Sequence, residues 1–137
     1  MELGDVGALA LDENANTIYI VDTGFRSGKI NVISPFYYDT SMKIYRNISF
    51  ENPVNIAVDP ITNMLYLTNM FDEAVFILDS LTEKILYREK IPGTPSDIVF
   101  NSNTAKAYVM NRYTDNISVI NSTGKKRGDI PIGSYFF

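Results

Sequence analysis

Three short clusters carry the residues most able to make specific contacts: Phe25-Arg26, Phe71-Asp72-Glu73 and Arg112-Tyr113-Thr114-Asp115. Each sets a flat aromatic ring beside charged or polar groups, a combination suited to gripping a sugar, a peptide or a protein surface. The aromatic positions lie 46 and then 42 residues apart, so the clusters belong to a recurring unit. Asp72 and Glu73 are adjacent carboxylates of the kind that serve acid–base chemistry or calcium binding. No loop supplies the dense oxygen-ligand spacing of a dedicated calcium site, and neighbouring acids at a hairpin are ordinarily solvated. No nucleophile motif, phosphate-binding loop or zinc pattern occurs, so the sequence predicts neither a catalytic centre nor a cofactor or metal.

Composition narrows the chemistry further. The 137 residues include no His and no Cys. That removes the commonest metal ligand, the usual general base near neutral pH, thiol nucleophiles and disulfides. A net charge of −4 offers no basic stripe for displacing counterions from phosphates, so nucleic acid is not an expected partner. Lys125-Lys126-Arg127 is the one basic run, and it reads as a solvated turn. No apolar stretch reaches the ~20 residues of a membrane-spanning helix. The first residues, Met1-Glu-Leu-Gly-Asp5, lack the features of a signal peptide.

The elements that position these clusters form a repeat. Leu9–Asp22, Ile56–Asn69 and Ile98–Asn111 superpose, with Tyr19, Tyr66 and Tyr108 equivalent at spacings of 47 and 42 residues. Asp22, Asn69 and Asn111 follow at the same spacings. Alternation and turn residues place four strands, a to d, in each unit. In the second unit these are Val54–Val58, Met64–Thr68, Val75–Leu78 and Lys84–Ile91; the third is expected to end with strand d at Asp129–Ile132. Strand a is apolar on both faces and suits an innermost position, whereas Tyr87-Arg88-Glu89-Lys90 suits an outer edge blunted by charge. Four antiparallel strands per unit of 40-odd residues mark a propeller blade. The fold class read from the sequence is therefore all-β: a partial, open β-propeller of three four-stranded antiparallel blades, at about 5–52, 53–94 and 95–137.

Tyr66-Leu67-Thr68-Asn69, preceded by Ala57-Val58-Asp59-Pro60 and followed by Val75-Phe76-Ile77-Leu78-Asp79, resembles the YVTN-type β-propeller repeat. Leu67 replaces the Val of that pattern. The third unit has Tyr108-Val109-Met110-Asn111, and the first, with Ile20-Val21-Asp22-Thr23-Gly24, is also similar to the NHL-type repeat. Such propellers resemble archaeal surface-layer and other exported proteins. The resemblance therefore implies an extracellular or cell-surface setting for the parent protein, although a cytoplasmic one is not ruled out by this chain. It specifies fold far more sharply than activity. In that setting Asn47, Asn116 and Asn121, each opening an N-glycosylation sequon, become candidate modification sites.

Three blades fall short of the number with which propellers close. Ile130-Pro131-Ile132-Gly133 repeats the link Ile91-Pro92-Gly93, and Phe136-Phe137 stands where another strand a would start. The chain thus reads as a segment of a larger propeller, with other blades, from a parent chain or a second copy, as its partners. Strands b and c are joined on the face where propellers commonly bind. Phe25, Arg26, Phe71, Asp72, Glu73, Arg112, Tyr113 and Asp115 are the candidate binding residues of that face. The competing reading folds each aromatic back over its own blade, and it is the favoured one, because a feature present in every repeat ordinarily serves packing. The first unit also lengthens its b–c hairpin, with Gly24 and Gly28, and its c–d connection, with Phe36-Tyr37-Tyr38. The expected function is non-enzymatic: a binding and assembly module presenting its b–c loops to protein or carbohydrate. The alternative is a segment of a propeller enzyme or redox protein whose reactive groups lie in other blades or domains.

Overall fold

The hairpins among the described residues, apart from the one between strands b and c of the third unit, are built the same way. An Asp or Asn ends a strand and folds its side chain onto the next backbone amides, and a residue with positive φ then returns the chain. Asp59 Oδ1 accepts from Ile61 N at 3.0 Å, Asp79 Oδ1 from Leu81 N at 2.8 Å, and Asn121 Oδ1 from Lys125 N at 3.0 Å. Asn63, Glu83 and Gly124 follow at φ 62°, 64° and 77°. Between these turns, β-branched and aromatic residues alternate and favour extended backbone.

The computed structural model describes residues 6–22, 28–34, 44–69 and 71–132, with backbone alone for residues 6, 44 and 45. It contains twelve strands in three antiparallel sheets of four. The first blade comprises β1 (Val6–Asp12), β2 (Thr17–Asp22), β3 (Lys29–Ile33) and β4 (Ile44–Ser49). The second comprises β5 (Pro53–Asp59), β6 (Met64–Asn69), β7 (Ala74–Asp79) and β8 (Ile85–Lys90). The third comprises β9 (Pro95–Asn101), β10 (Lys106–Asn111), β11 (Asn116–Asn121) and β12 (Lys126–Pro131). In each sheet the strands lie in chain order, and the innermost strands β1, β5 and β9 touch their neighbours across the blades. This is the open three-bladed propeller expected from the repeat.

Two strands begin three residues before the sequence places them: strand a of the first blade, expected over Leu9–Leu11, spans Val6–Asp12, and strand d of the third blade is expected only from Asp129. Strand d of the third blade occupies Lys126–Pro131, so Lys126 and Arg127 open a strand, and only Lys125 of the basic run stays in the turn. The physical reason is Gly124: its positive φ ends the turn two residues earlier than the charges alone implied. Lys126 then pairs with Asp129 at 2.7 Å.

Burial between blades makes two cores. Tyr19, Val21, Val32, Phe50, Leu65 and Phe76 belong to the cluster between the first and second blades, where Phe50 meets Phe76 edge-on with ring centroids 5.2 Å apart. Tyr66, Ile77, Ile91, Ile98, Val109 and Ile120 belong to the cluster between the second and third. Polar bonds pin the same junctions. Arg46 reaches from β4 to the c–d turn of the second blade, bonding Ser80 O and pairing with Glu83 at 3.1 Å. Asn55 donates to Asp97 at 2.8 Å, and Thr68 to Ser96 O at 3.0 Å.

Candidate binding face

The b–c loops of the second and third blades stand next to the links that lead from strand d into the next blade. Asn69 makes this adjacency in the second blade. Its side-chain oxygen accepts from Phe71 N at 2.9 Å and Asp72 N at 3.1 Å, while its amide donates to Glu51 O at 2.8 Å. One amide side chain therefore shapes the loop and ties it to the preceding link. Glu73, at φ 46°, reverses the chain into β7. The carbonyl of Glu73 accepts from Ile91 N at 2.7 Å, which holds the far side of the loop.

The third blade achieves a similar placement with different bonds. Arg112 N and Tyr113 N donate to Thr94 O and Gly93 O, both at 3.1 Å. Gly93 has φ 107°, and a Cβ there would lie 2.5 Å from the Thr114 methyl, so the close approach requires glycine. Asn111 turns its amide toward Asn116 Oδ1 and Ser118 Oγ, at 2.6 and 2.8 Å, and leaves its own buried side-chain oxygen unpartnered. Thr114 Oγ1 also donates to Asn116 Oδ1, at 2.7 Å, and Asp115 closes the turn at φ 51°.

This scaffolding pushes the two aromatics outward. Phe71 and Tyr113 are each 75% exposed, so neither folds back over its blade. The packing reading of these two rings therefore fails: the Asn69-stabilised loop leaves Phe71 at its tip, and the bonds of Arg112 N and Tyr113 N to the Gly93–Thr94 link leave Tyr113 at the other. Asp72, Arg112 and Asp115 are exposed and Glu73 is half-buried. Phe25 and Arg26, together with Phe36, Tyr37 and Tyr38, lie outside the described residues.

A groove of about 500 Å³ opens beside this face between the first and second blades. Glu51, Asn69 and Asp72 give it a polar rim, with Phe50 and Phe76 in its wall. The sequence singles out Asp72 but not the groove, because Gly28, Ser49 and Phe50, which line its other side, belong to the preceding blade. The signal for Asn69 was present as the recurrent Asp22/Asn69/Asn111 position, although its work as a loop clamp needed the geometry. Among the described residues, no group of three or more Asp or Glu could hold a metal ion.

The three candidate sequon asparagines differ in setting. Asn47 is exposed on the edge strand β4. Asn116 accepts the Asn111 and Thr114 bonds described above, and Asn121 organises the β11–β12 turn.

The three stacked four-stranded sheets define the blades of an open β-propeller. No protein-family model and no curated protein matches the chain. Solved structures do match its fold. Hydrazine synthase from Kuenenia stuttgartiensis superposes with a TM-score of 0.79 at 18% identity, over 96% of this chain and 37% of that one. KlHsv2 with its loop 6CD replaced by a Gly-Ser linker superposes with a TM-score of 0.68 at 13% identity, over 93% of this chain and 40% of that one. Both are β-propeller proteins. The chain spans less than half the length of either.

Proposed function

We propose that this chain is a non-enzymatic binding and assembly module of a cell-surface or exported protein, whose b–c loop face contacts carbohydrate or protein. The observation that carries the reading is the outward display of Phe71 and Tyr113 on loops braced by Asn69 and by the Gly93–Thr94 link. Loops braced by these bonds lose little backbone freedom on binding, and Asp72, Arg112 and Asp115 beside the rings provide hydrogen-bonding groups. The resemblance of Tyr66-Leu67-Thr68-Asn69 to the YVTN-type repeat supports the surface setting. The alternative of an enzyme or redox-protein segment draws on the name of one structural neighbour, hydrazine synthase, and a likeness at 18% identity carries fold without activity.

The test is a panel of immobilised neutral and acidic oligosaccharides, probed with the chain and with a Phe71→Ala/Tyr113→Ala variant. Retention of the native chain on at least one glycan, weakened about tenfold or more in the variant at unchanged circular dichroism, is the expected result. No glycan retained, or retention indifferent to the two substitutions, rejects the carbohydrate reading.

A further inference from the structure

Because the blades are repeats, a position covered by a neighbouring blade in one unit has equivalents in the others, and strand register identifies them. Tyr19, Tyr66 and Tyr108 pair with Val32, Ile77 and Val119 respectively. In the first two blades this tyrosine is buried by the blade that follows, whereas Tyr108 is only half-buried. On the same face, Ala57 is 7% exposed and its equivalent Val99 is 63% exposed. Register makes Ile132, not Ile130 as the sequence match implies, the equivalent of Ile91: Phe50, Ile91 and Ile132 each donate their backbone N–H to the b–c hairpin of their own blade, at 3.0, 2.7 and 2.9 Å. The first two are buried and Ile132 is exposed.

The opposite face shows the reverse pattern. Ile56 and Ile98 are 3% and 5% exposed against the preceding blade, whereas their equivalent Leu9 is 64% exposed. Val58 and Phe100 pack into the two interblade cores, Phe100 stacking on Tyr66 with centroids 5.0 Å apart. Their equivalent Leu11 lies exposed. The first blade therefore presents the kind of surface that covers a repeat tyrosine, and the third presents a repeat tyrosine lacking its cover.

We propose that these two faces are each other's partners and that a second copy of this chain supplies the match. The first blade of each copy docks on the third blade of the other, Leu9 and Leu11 covering Val99 and Tyr108. Propellers close with about 4–8 blades, and six is the one multiple of three in that range. Two copies thus close a six-bladed ring through two equivalent head-to-tail junctions, leaving neither apolar face in water.

Light scattering on the eluting chain at micromolar concentration is expected to give twice the 15.4 kDa chain mass. Leu9→Lys and Val99→Glu, both at exposed positions, should each leave the circular dichroism unchanged and weaken the dimer at least about tenfold, because each buries an unpaired charge. Mixing the two variants should restore the doubled mass, since the opposite charges then meet at one junction and the other keeps its native residues. Phe71→Ala, on the loop face, should leave the mass unchanged, which separates this result from failure of the binding reading. A monomeric native chain, an open-ended polymer, or a dimer insensitive to both flank substitutions overturns the proposal.

Discussion

Tyr66 shows how one side chain records its neighbours. It sits in strand b of the middle blade, with Phe100 stacked on one side and the sheet around it, and is 1% exposed. Burial, with a smaller contribution from the negative charge of Asp59, pushes its phenol up from 10.0 to about 12. The fold thus favours the neutral phenol. Its contribution is complete below pH 10, where both folded and unfolded chains keep the proton, and it is lost as pH rises from about 10 through about 12. Urea unfolding across that range should show stability falling by of order 2 kcal/mol from this group, and Tyr66→Phe should remove that part of the fall. An unchanged alkaline profile in the variant would place the pH dependence elsewhere. Phe71 and Tyr113 make the opposite point, since rings of similar bulk stand in water because their loops hold them there.

At the scale of elements, the hairpins depend on left-handed residues, and the repeat fills those positions unequally. Gly124 meets the requirement freely at φ 77°, and a Cβ there would lie 2.5 Å from the Cβ of Tyr87 in the neighbouring blade. Ala105 adopts φ 54° in the β9–β10 turn at the steric cost of its methyl group. The two positions predict effects of opposite sign. Gly124→Ala should lower unfolding stability by about 2–3 kcal/mol through strain and the clash with Tyr87. Ala105→Gly should raise it by about 0.5–1 kcal/mol. Denaturant midpoints measured at constant slope would check both, and equal shifts of the same sign would contradict this account of the turns.

For the molecule as a whole, each blade is stabilised by its neighbours, so cohesion is distributed like that of a short stack. The middle blade is covered on both faces, whereas Leu9 and Val99 leave the outer two each with an open one. Amide exchange should therefore be slowest in β6 and β7 and faster in the inner strands β1 and β9. Pairing of two copies should slow exchange in β1 and β9 as concentration rises. Exchange that is uniform over all three blades would show a single cooperative unit instead.

Much of this was legible in the chain itself. The recurrence of Tyr19, Tyr66 and Tyr108 with a following Asp or Asn sets the blade number, and alternation places twelve strands, because both signals are local. The start of β12 is not legible in the chain, because three basic residues look like a turn whereas the backbone of Gly124 decides where the turn stops. The loop aromatics are likewise visible as a pattern. Whether a ring lies against its own sheet or points into water depends on bonds to residues distant in sequence, such as Asn69 to Glu51 and Tyr113 to Gly93. Periodicity along the chain determined what repeats; only the stacking of blades decided which equivalent residues are covered and which are left facing water.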